Sequence, residues 1–276
     1  MIEGQEGVTW DDWLALARAT EEFGYEALFR SDHYGSVIAG EELGALDAWA
    51  TLAALATVTS RIRLGTLVSP ATFRHPSVVA KNAVTVDHIS GGRVEVGLGA
   101  GWNESEHARY GFSFPPLGER MGVFAEQLEI VHRQWEGEPF SFEGEHYRLK
   151  ESDPRPKPVQ APHPNLIVGG SGRPRSVSLA ARWADEYNML STAPDECRAL
   201  RERIAAACAQ VGREPLALSV MTRLPDGSPD DVVRKLTALA EAGVERLMLQ
   251  HLDHRDLDAL RMVAEEIAPR LPAPAR

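Results

Sequence analysis

The sequence predicts an α/β fold, a single parallel (β/α)8 barrel, and three observations carry that prediction. Short aliphatic runs alternate with helical patterns along nearly the whole chain. Several runs are continuously apolar instead of alternating, as strands of a parallel sheet buried on both faces should be. The 276 residues suit one such barrel, a fold that commonly occupies about 250 residues as one domain.

Taken in order, the chain opens on a stub, MIEG, the only candidate for a first strand. It is short against the five or six residues, roughly, of an ordinary strand, so the first strand is expected to be short or truncated. Thr9 and Asp12 form a capping box for the first helix, with Trp13, Leu14 and Ala17 facing inward and Gly24 ending it. The run EALFRSD follows, then an apolar stretch from Ala45 to Val58 interrupted by Asp47, which reads as a buried helix. RIRLGTLVS and RVEVGLGAG are the next strands, the helix between them starting at Pro76. A helix from Glu119 to Trp135 carries Met121, Phe124, Leu128, Val131 and Trp135 on one stripe.

Between residues 140 and 164 the alternation stops. FSFEGEHYRL reads as a hairpin around Gly144 and DPRPKPVQAPHP as a proline-rich return, a small insertion between strands four and five within the single domain 1–276. NLIVGGSG resumes the pattern before a helix from Pro174, and EYNML, LALSVM and ERLMLQ complete it. Ser228 caps a helix with Pro229 at its first position and Val232, Val233, Leu236 and Leu239 on one face, closed by Gly243. Trp10, Trp13 and Trp49 fall on apolar helix faces and are expected in the core.

A net charge of -11 repels polyanions, and no basic run interleaved with aromatics offsets it, so nucleic acid is excluded as a partner. The longest apolar stretch is too short and too interrupted for a membrane span. Cys197 and Cys208 share one helix, and the acidic first segment lacks the basic and apolar parts of a signal peptide. A cytoplasmic enzyme acting on a small molecule is the expectation.

Active sites of such barrels lie beyond the carboxyl ends of the strands. Ser31-Asp32-His33-Tyr34 ends one run, and His33 there suits proton transfer. Gly65 to Pro70 leads into Thr72-Phe73-Arg74-His75-Pro76, a turn that structural needs alone explain. The glycines of Gly97-Leu98-Gly99-Ala100-Gly101, followed by Trp102, allow a flat ligand to approach the backbone. Gly169, Gly170 and Ser171 lie just before a helix, and bare glycines, a hydroxyl and free helix amides form a phosphate cradle.

As an ordered set, FRSDHY, SRIRLGTLVSPATFRHP, SGGRVEVGLGAGWNESEHARYGFSFPPLGER, KPVQAPHP before NLIVGGSG, and ADEYN resemble the bacterial luciferase-like family over nearly the whole chain. The set is similar to the family's deazaflavin branch, the coenzyme F-420-dependent oxidoreductases of actinobacteria. The resemblance implies coenzyme F-420 in the barrel mouth, with FMN as the alternative, and a homodimer. It implies a non-proline cis peptide at Leu67–Val68 behind the ring, Asp32 and His33 at its edge with His33 as acid or base, the phosphate at Gly169, Gly170 and Ser171, and Trp102 to Glu106 lining the ring or substrate side. The reaction so implied is hydride transfer between the deazaflavin and a small organic substrate, whereas FMN would point to oxygenation.

Two departures bear on the substrate. Trp102 and Val37 stand where the family's sugar-phosphate dehydrogenases have an acid and a tryptophan, which argues against a sugar phosphate. The path from Met221 through LPDG to Ser228 is short, which expects an open pocket. Two other classes are weighed against the redox reading. Scattered histidines (His33, His75, His107, His163, His251) suggest a metal-dependent hydrolase, but no HxH after the stub, HExxH or cysteine cluster supports it, and no metal is expected. The short stub and the short segment after Met221 suggest a non-catalytic family member that has lost cofactor binding.

Overall fold

The structure, a computed structural model, describes residues 1–38, 40, 43–190, 193–224 and 227–272. Pro225 and Asp226, within the short path after Met221, lie outside the described residues. The elements run α1 (Trp10–Glu22), β1 (Ala27–Arg30), α2 (Ala48–Val58), β2 (Arg63–Thr66), β3 (Ser69–Pro70), α3 (Pro76–Ser90), β4 (Val94–Gly99), α4 (Glu104–Tyr110) and α5 (Leu117–Glu136). They continue with β5 (Phe140–Glu143), β6 (Arg148–Ser152), β7 (Asn165–Gly169), α6 (Pro174–Trp183), β8 (Glu186–Leu190), α7 (Pro194–Gln210), β9 (Ala217–Arg223), α8 (Pro229–Glu241), β10 (Arg246–Gln250) and α9 (Leu257–Met262).

Seven strands form one parallel sheet in the order β1-β2-β4-β7-β8-β9-β10, with the two-residue β3 paired on β4. Strand order follows chain order throughout, as βα units joined by right-handed crossovers require. The amino-terminal stub meets both edges of this sheet. Ile2 bridges Arg30 of β1 and His251 beside β10. The Ile2 N–H donates to Phe29 O at 2.9 Å, Ser31 N–H donates to Ile2 O at 3.1 Å, and His251 N–H donates to Met1 O at 2.9 Å. Buried Ile2 thus stands as one residue where a strand was expected to be short.

The residues between 140 and 164 hold β5 and β6, an antiparallel pair set apart from the main sheet, and then the proline-rich return, with cis bonds before Pro156 and Pro162. The helix starts follow local chemistry. Thr9 and Asp12 exchange both bonds of a capping box, and Ser228 accepts from the Asp231 amide. Asp47, which interrupts the apolar stretch, is the cap of α2 and accepts from the Ala50 amide.

Packing corrects two expectations for α1. Its inner face is Trp13, Leu16 and Ala17, with Leu14 half-buried, and Trp10 is exposed at the first helical position, where no neighbouring turn covers it. Trp13 and Trp49 are core residues, as expected, and α5 buries Phe124, Leu128, Val131 and Trp135. Both cysteines are free and buried.

The carboxyl end of the sheet depends on glycines. A Cβ on Gly97 would lie 2.1 Å from Thr66 O, a backbone atom that cannot swing away. Overpacking of this kind costs about 1–3 kcal/mol or more. Gly118, in the first turn of α5, faces open space. Gly97→Ala should therefore lower the urea midpoint strongly, whereas Gly118→Ala should raise it slightly, by up to about 1 kcal/mol of helix propensity. Chemical unfolding of both variants checks this.

Candidate active site

Parallel strands deliver their last residues to one end of the sheet, and two charged networks meet there. The first begins at Asp32, directly after β1. Its carboxylate is fully buried; it accepts the Ser69 hydroxyl at 2.6 Å and a two-pronged contact from the Arg74 guanidinium. Arg74 also donates to Asp47 at 2.6 Å and to the Tyr34 hydroxyl at 2.9 Å. The indole of Trp49 donates to Ser69 at 3.1 Å. One guanidinium thereby ties β1, the cap of α2 and the loop after β3 into a single unit.

The second network belongs to His33. Its Nδ1 lies 2.7 Å from Glu106 Oε2, while Glu106 Oε1 accepts the amides of Tyr34 and Gly35. Asn103 caps α4 and sets Glu106 in its first turn, so a helix start delivers the carboxylate to the β1 loop. Burial works against the charge on His33, but the hydrogen bond and the charge of Glu106 outweigh it and raise its pKa. Burial likewise works against the Glu106 carboxylate, and the bonds from His33, Tyr34 and Gly35 hold its pKa below the ordinary value. The two shifts agree on an imidazolium–carboxylate pair. With Nδ1 engaged, Nε2 is the nitrogen that can serve an incoming group. Trp102, 66% exposed, stands edge-on to the His33 ring at 5.7 Å.

Leu67–Val68 is a non-proline cis bond. Leu67 is buried, and the side chain of Val68 fills the gap left by three glycines. A Cβ on Gly97, Gly99 or Gly169 would approach Val68 to 3.0, 2.8 and 2.9 Å. The space that the glycine-rich strand end was expected to open for a ligand is therefore occupied at these positions by valine.

Only part of the expected phosphate cradle is free. The Gly170 amide donates to Asn188 O at 3.0 Å, and the Gly172 amide to the Tyr187 hydroxyl at 2.8 Å. A Cβ on Gly170 would meet that hydroxyl at 2.3 Å, so glycine there is a packing requirement. Ser171 is exposed, and α6 begins with Pro174 and no side-chain cap, which leaves its first-turn amides for an outside acceptor. His33, Leu67, Val68, Trp102, Glu106 and the Gly169–Ser171 turn all follow strand ends of this one sheet.

Arg74, Glu3 and Gln5 were not singled out from the sequence. Gln5 accepts from the Ser31 hydroxyl and donates to Glu3 at 2.8 Å, and Gln250 at the end of β10 also donates to Glu3. Arg74 could have been found from the rule that a buried aspartate needs a cation. Nothing in the stub sequence marks Glu3 or Gln5. His75 is an N-cap, its ring accepting from the Ser77 amide at 3.2 Å. His107 is buried, with Nδ1 2.6 Å from Asn103 O and Nε2 2.6 Å from Thr72 Oγ1.

The family model described as luciferase-like monooxygenase matches residues 2–226. The chain belongs to that family. It is accordingly an enzyme of the oxidoreductase type. An F420-dependent glucose-6-phosphate dehydrogenase of Nakamurella multipartita is 35% identical over 174 residues, 62% of this chain and 50% of that protein. Two solved structures share the fold. An F420-dependent secondary alcohol dehydrogenase in complex with an F420-acetone adduct has a TM-score of 0.86 at 17% identity, with 98% of each chain covered. The oxygenating constituent of 3,6-diketocamphane monooxygenase from Pseudomonas putida, in complex with FMN, has a TM-score of 0.81 at 19% identity, covering 99% of this chain and 98% of that one. No described helix is long and apolar enough to cross a membrane.

Removing Arg74 leaves Asp32 buried without its cation, which costs about 3–5 kcal/mol. Arg74→Met should lower unfolding stability by that amount in denaturant titration. Arg255→Met, which breaks an exposed pair with Asp12, should cost under about 1 kcal/mol.

Proposed function

We propose that this protein is a deazaflavin-dependent oxidoreductase that takes a small organic substrate in the mouth of the barrel. The observation that carries the reading is the His33–Glu106 pair, held at the strand ends with Nε2 available. The uncapped start of α6 beside Ser171, with Arg173 in the cap position, fits the phosphate of such a cofactor. Val68 and Leu67 would back its ring, and Trp102 and His33 would border it. When bound, the deazaflavin supplies two-electron hydride chemistry.

His33 does the proton work. Glu106 fixes the orientation of the ring and keeps it charged, so Nε2–H donates a proton to a substrate oxygen and takes it back in the reverse direction. Asp32 and Arg74 position His33 through the backbone of the β1 loop and do not themselves meet the substrate. The N. multipartita relative's name raises glucose 6-phosphate as a substrate. Trp102, exposed over His33 where that class has an acid, argues instead for a substrate with an apolar face. A homodimer is part of the same reading, by family resemblance.

Three measurements test this account. Titration with coenzyme F-420 and with FMN, read by fluorescence quenching, should show saturable binding of the deazaflavin and much weaker binding of FMN. The reverse order would replace the reading with a flavin monooxygenase, and binding of neither would leave a non-catalytic family member. His33→Ala should slow turnover by about 10²- to 10⁴-fold, the usual worth of a general acid or base, with little change in cofactor affinity. Equal losses in both would contradict the proton role.

The third measurement is the pH profile. The folded pKa of His33 is raised, so the acid is present at low pH and lost as pH rises through that value. Glu106→Gln removes the raising interaction, and the high-pH limb of kcat/KM should move to lower pH. By the same linkage the pair's contribution to stability is full between the ordinary carboxylate and imidazole pKa values, and it is lost as pH falls through the lowered pKa of Glu106 or rises through the raised pKa of His33.

A further inference from the structure

At the opposite end of the sheet, three side chains converge that the redox reading does not use. His132 and Glu136 occupy the last turns of α5, and His163 lies in the proline-rich return two residues before β7 begins. Their donor atoms lie within 4.8 Å of one another. His132 Nδ1 is 3.3 Å from Glu136 Oε2, and His163 Nε2 is 3.5 Å from Glu136 Oε1.

Those distances are long for hydrogen bonds, which for N–H···O fall at about 2.7–3.2 Å. They suit ligands of a shared ion. Donors about 2.0–2.1 Å from a tetrahedral Zn²⁺ sit about 3.3–3.4 Å apart. Outer contacts prepare the same atoms. His163 Nδ1 is 2.9 Å from Pro164 O, an acceptor, so Nδ1 donates there and Nε2 is the ring atom that faces Glu136. Asp185 Oδ2 lies 3.7 Å from that Nδ1 and accepts the Leu166 amide, so its carboxylate supports the imidazole from behind.

The wall of the site is aromatic, with Trp135 stacked on His163 at 5.8 Å and Trp183 against His132 at 5.2 Å. His163 is nearly enclosed, while Glu136 is 38% exposed, which gives an ion a route in from solvent.

We infer that His132, Glu136 and His163 form a site for a divalent transition-metal ion such as Zn²⁺, fastening the end of α5 to the return segment before β7. Two imidazoles and one carboxylate select a borderline ion over Mg²⁺ or Ca²⁺, which prefer all-oxygen shells. The fourth position falls to water. The role is structural, because the site lies at the amino ends of β7 and β8 and the His33–Glu106 pair at the carboxyl ends. No metal was expected from the sequence, where His132 went unremarked and His163 was one of several scattered histidines.

The test uses tag-free protein stripped with chelator and titrated with Zn²⁺ by calorimetry, with Co²⁺ as a spectroscopic probe. One equivalent of Zn²⁺ should bind, Co²⁺ should give the strong visible bands of a four-coordinate site, and Zn²⁺ should raise the melting temperature. Outer-shell changes cost metal sites about 10–100-fold in affinity, so Glu136→Gln and His163→Ala, which remove ligands, should cost more than about 100-fold. His254→Ala, altering a histidine that pairs with Asp12 near the start of α1, should leave the Zn²⁺ affinity unchanged. Circular dichroism of the metal-free variants separates loss of the site from loss of the fold, and Glu136→Gln is the conservative probe because its side chain is partly exposed. Absence of binding by the wild-type protein, or unchanged affinity in folded Glu136→Gln and His163→Ala, would overturn the inference.

Discussion

The pairing of Arg74 with Asp32 is the contact on which the mouth of the barrel depends. A fully buried carboxylate is tolerable only with a cation and hydrogen bonds around it, and Arg74 and Ser69 provide both. Satisfying Asp32 forces three separate pieces of chain together: the end of β1, the cap of α2 at Asp47, and the turn after β3. The register of that turn then decides where Leu67 and Val68 lie, and the position of the β1 loop decides where His33 points. His33 is thus one residue from a charge that never meets solvent, which gives it a rigid mount.

Glycine and valine make the second half of the arrangement. Gly97, Gly99 and Gly169 sit at the ends of two neighbouring strands, and their missing side chains admit Val68 from the third. A surface of backbone and one branched aliphatic side chain results, closed below by buried Leu67, Ile167 and Phe29. At the other end of the sheet, Arg246 and Arg63 bind Glu95, and Glu186 joins them through Arg246 and Asn165. Charge therefore seals the amino end, while the carboxyl end keeps the His33–Glu106 pair and the uncapped start of α6.

Much of this was legible in the sequence wherever one local rule decided the outcome. Helix starts at Thr9, Pro76 and Ser228 are set by side chains within three residues of the amides they serve, and the structure has helices there. The strands were readable from apolar runs because a parallel sheet buries both faces. Trp10 misled because an apolar residue at the first position of a helix has no preceding turn to bury it. The strand-end glycines were legible as a need for space, but not that Val68 would take the space, since that contact joins residues about thirty to a hundred apart. Glu106 was visible as a neighbour of the site and not as the partner of His33, 73 residues away. The same separation hid Arg74 behind Asp32, and hid the approach of His163 to His132 and Glu136.

The central claim is that a deazaflavin ring lies in the mouth between Val68 and the His33–Glu106 pair. A crystal structure of the protein with coenzyme F-420 bound tests it most directly. The account predicts the ring against Leu67–Val68 with His33 Nε2 facing it, and the phosphate at Ser171 and the start of α6. A ring seated elsewhere, or a phosphate held away from α6 with His33 turned from the cofactor, would contradict it.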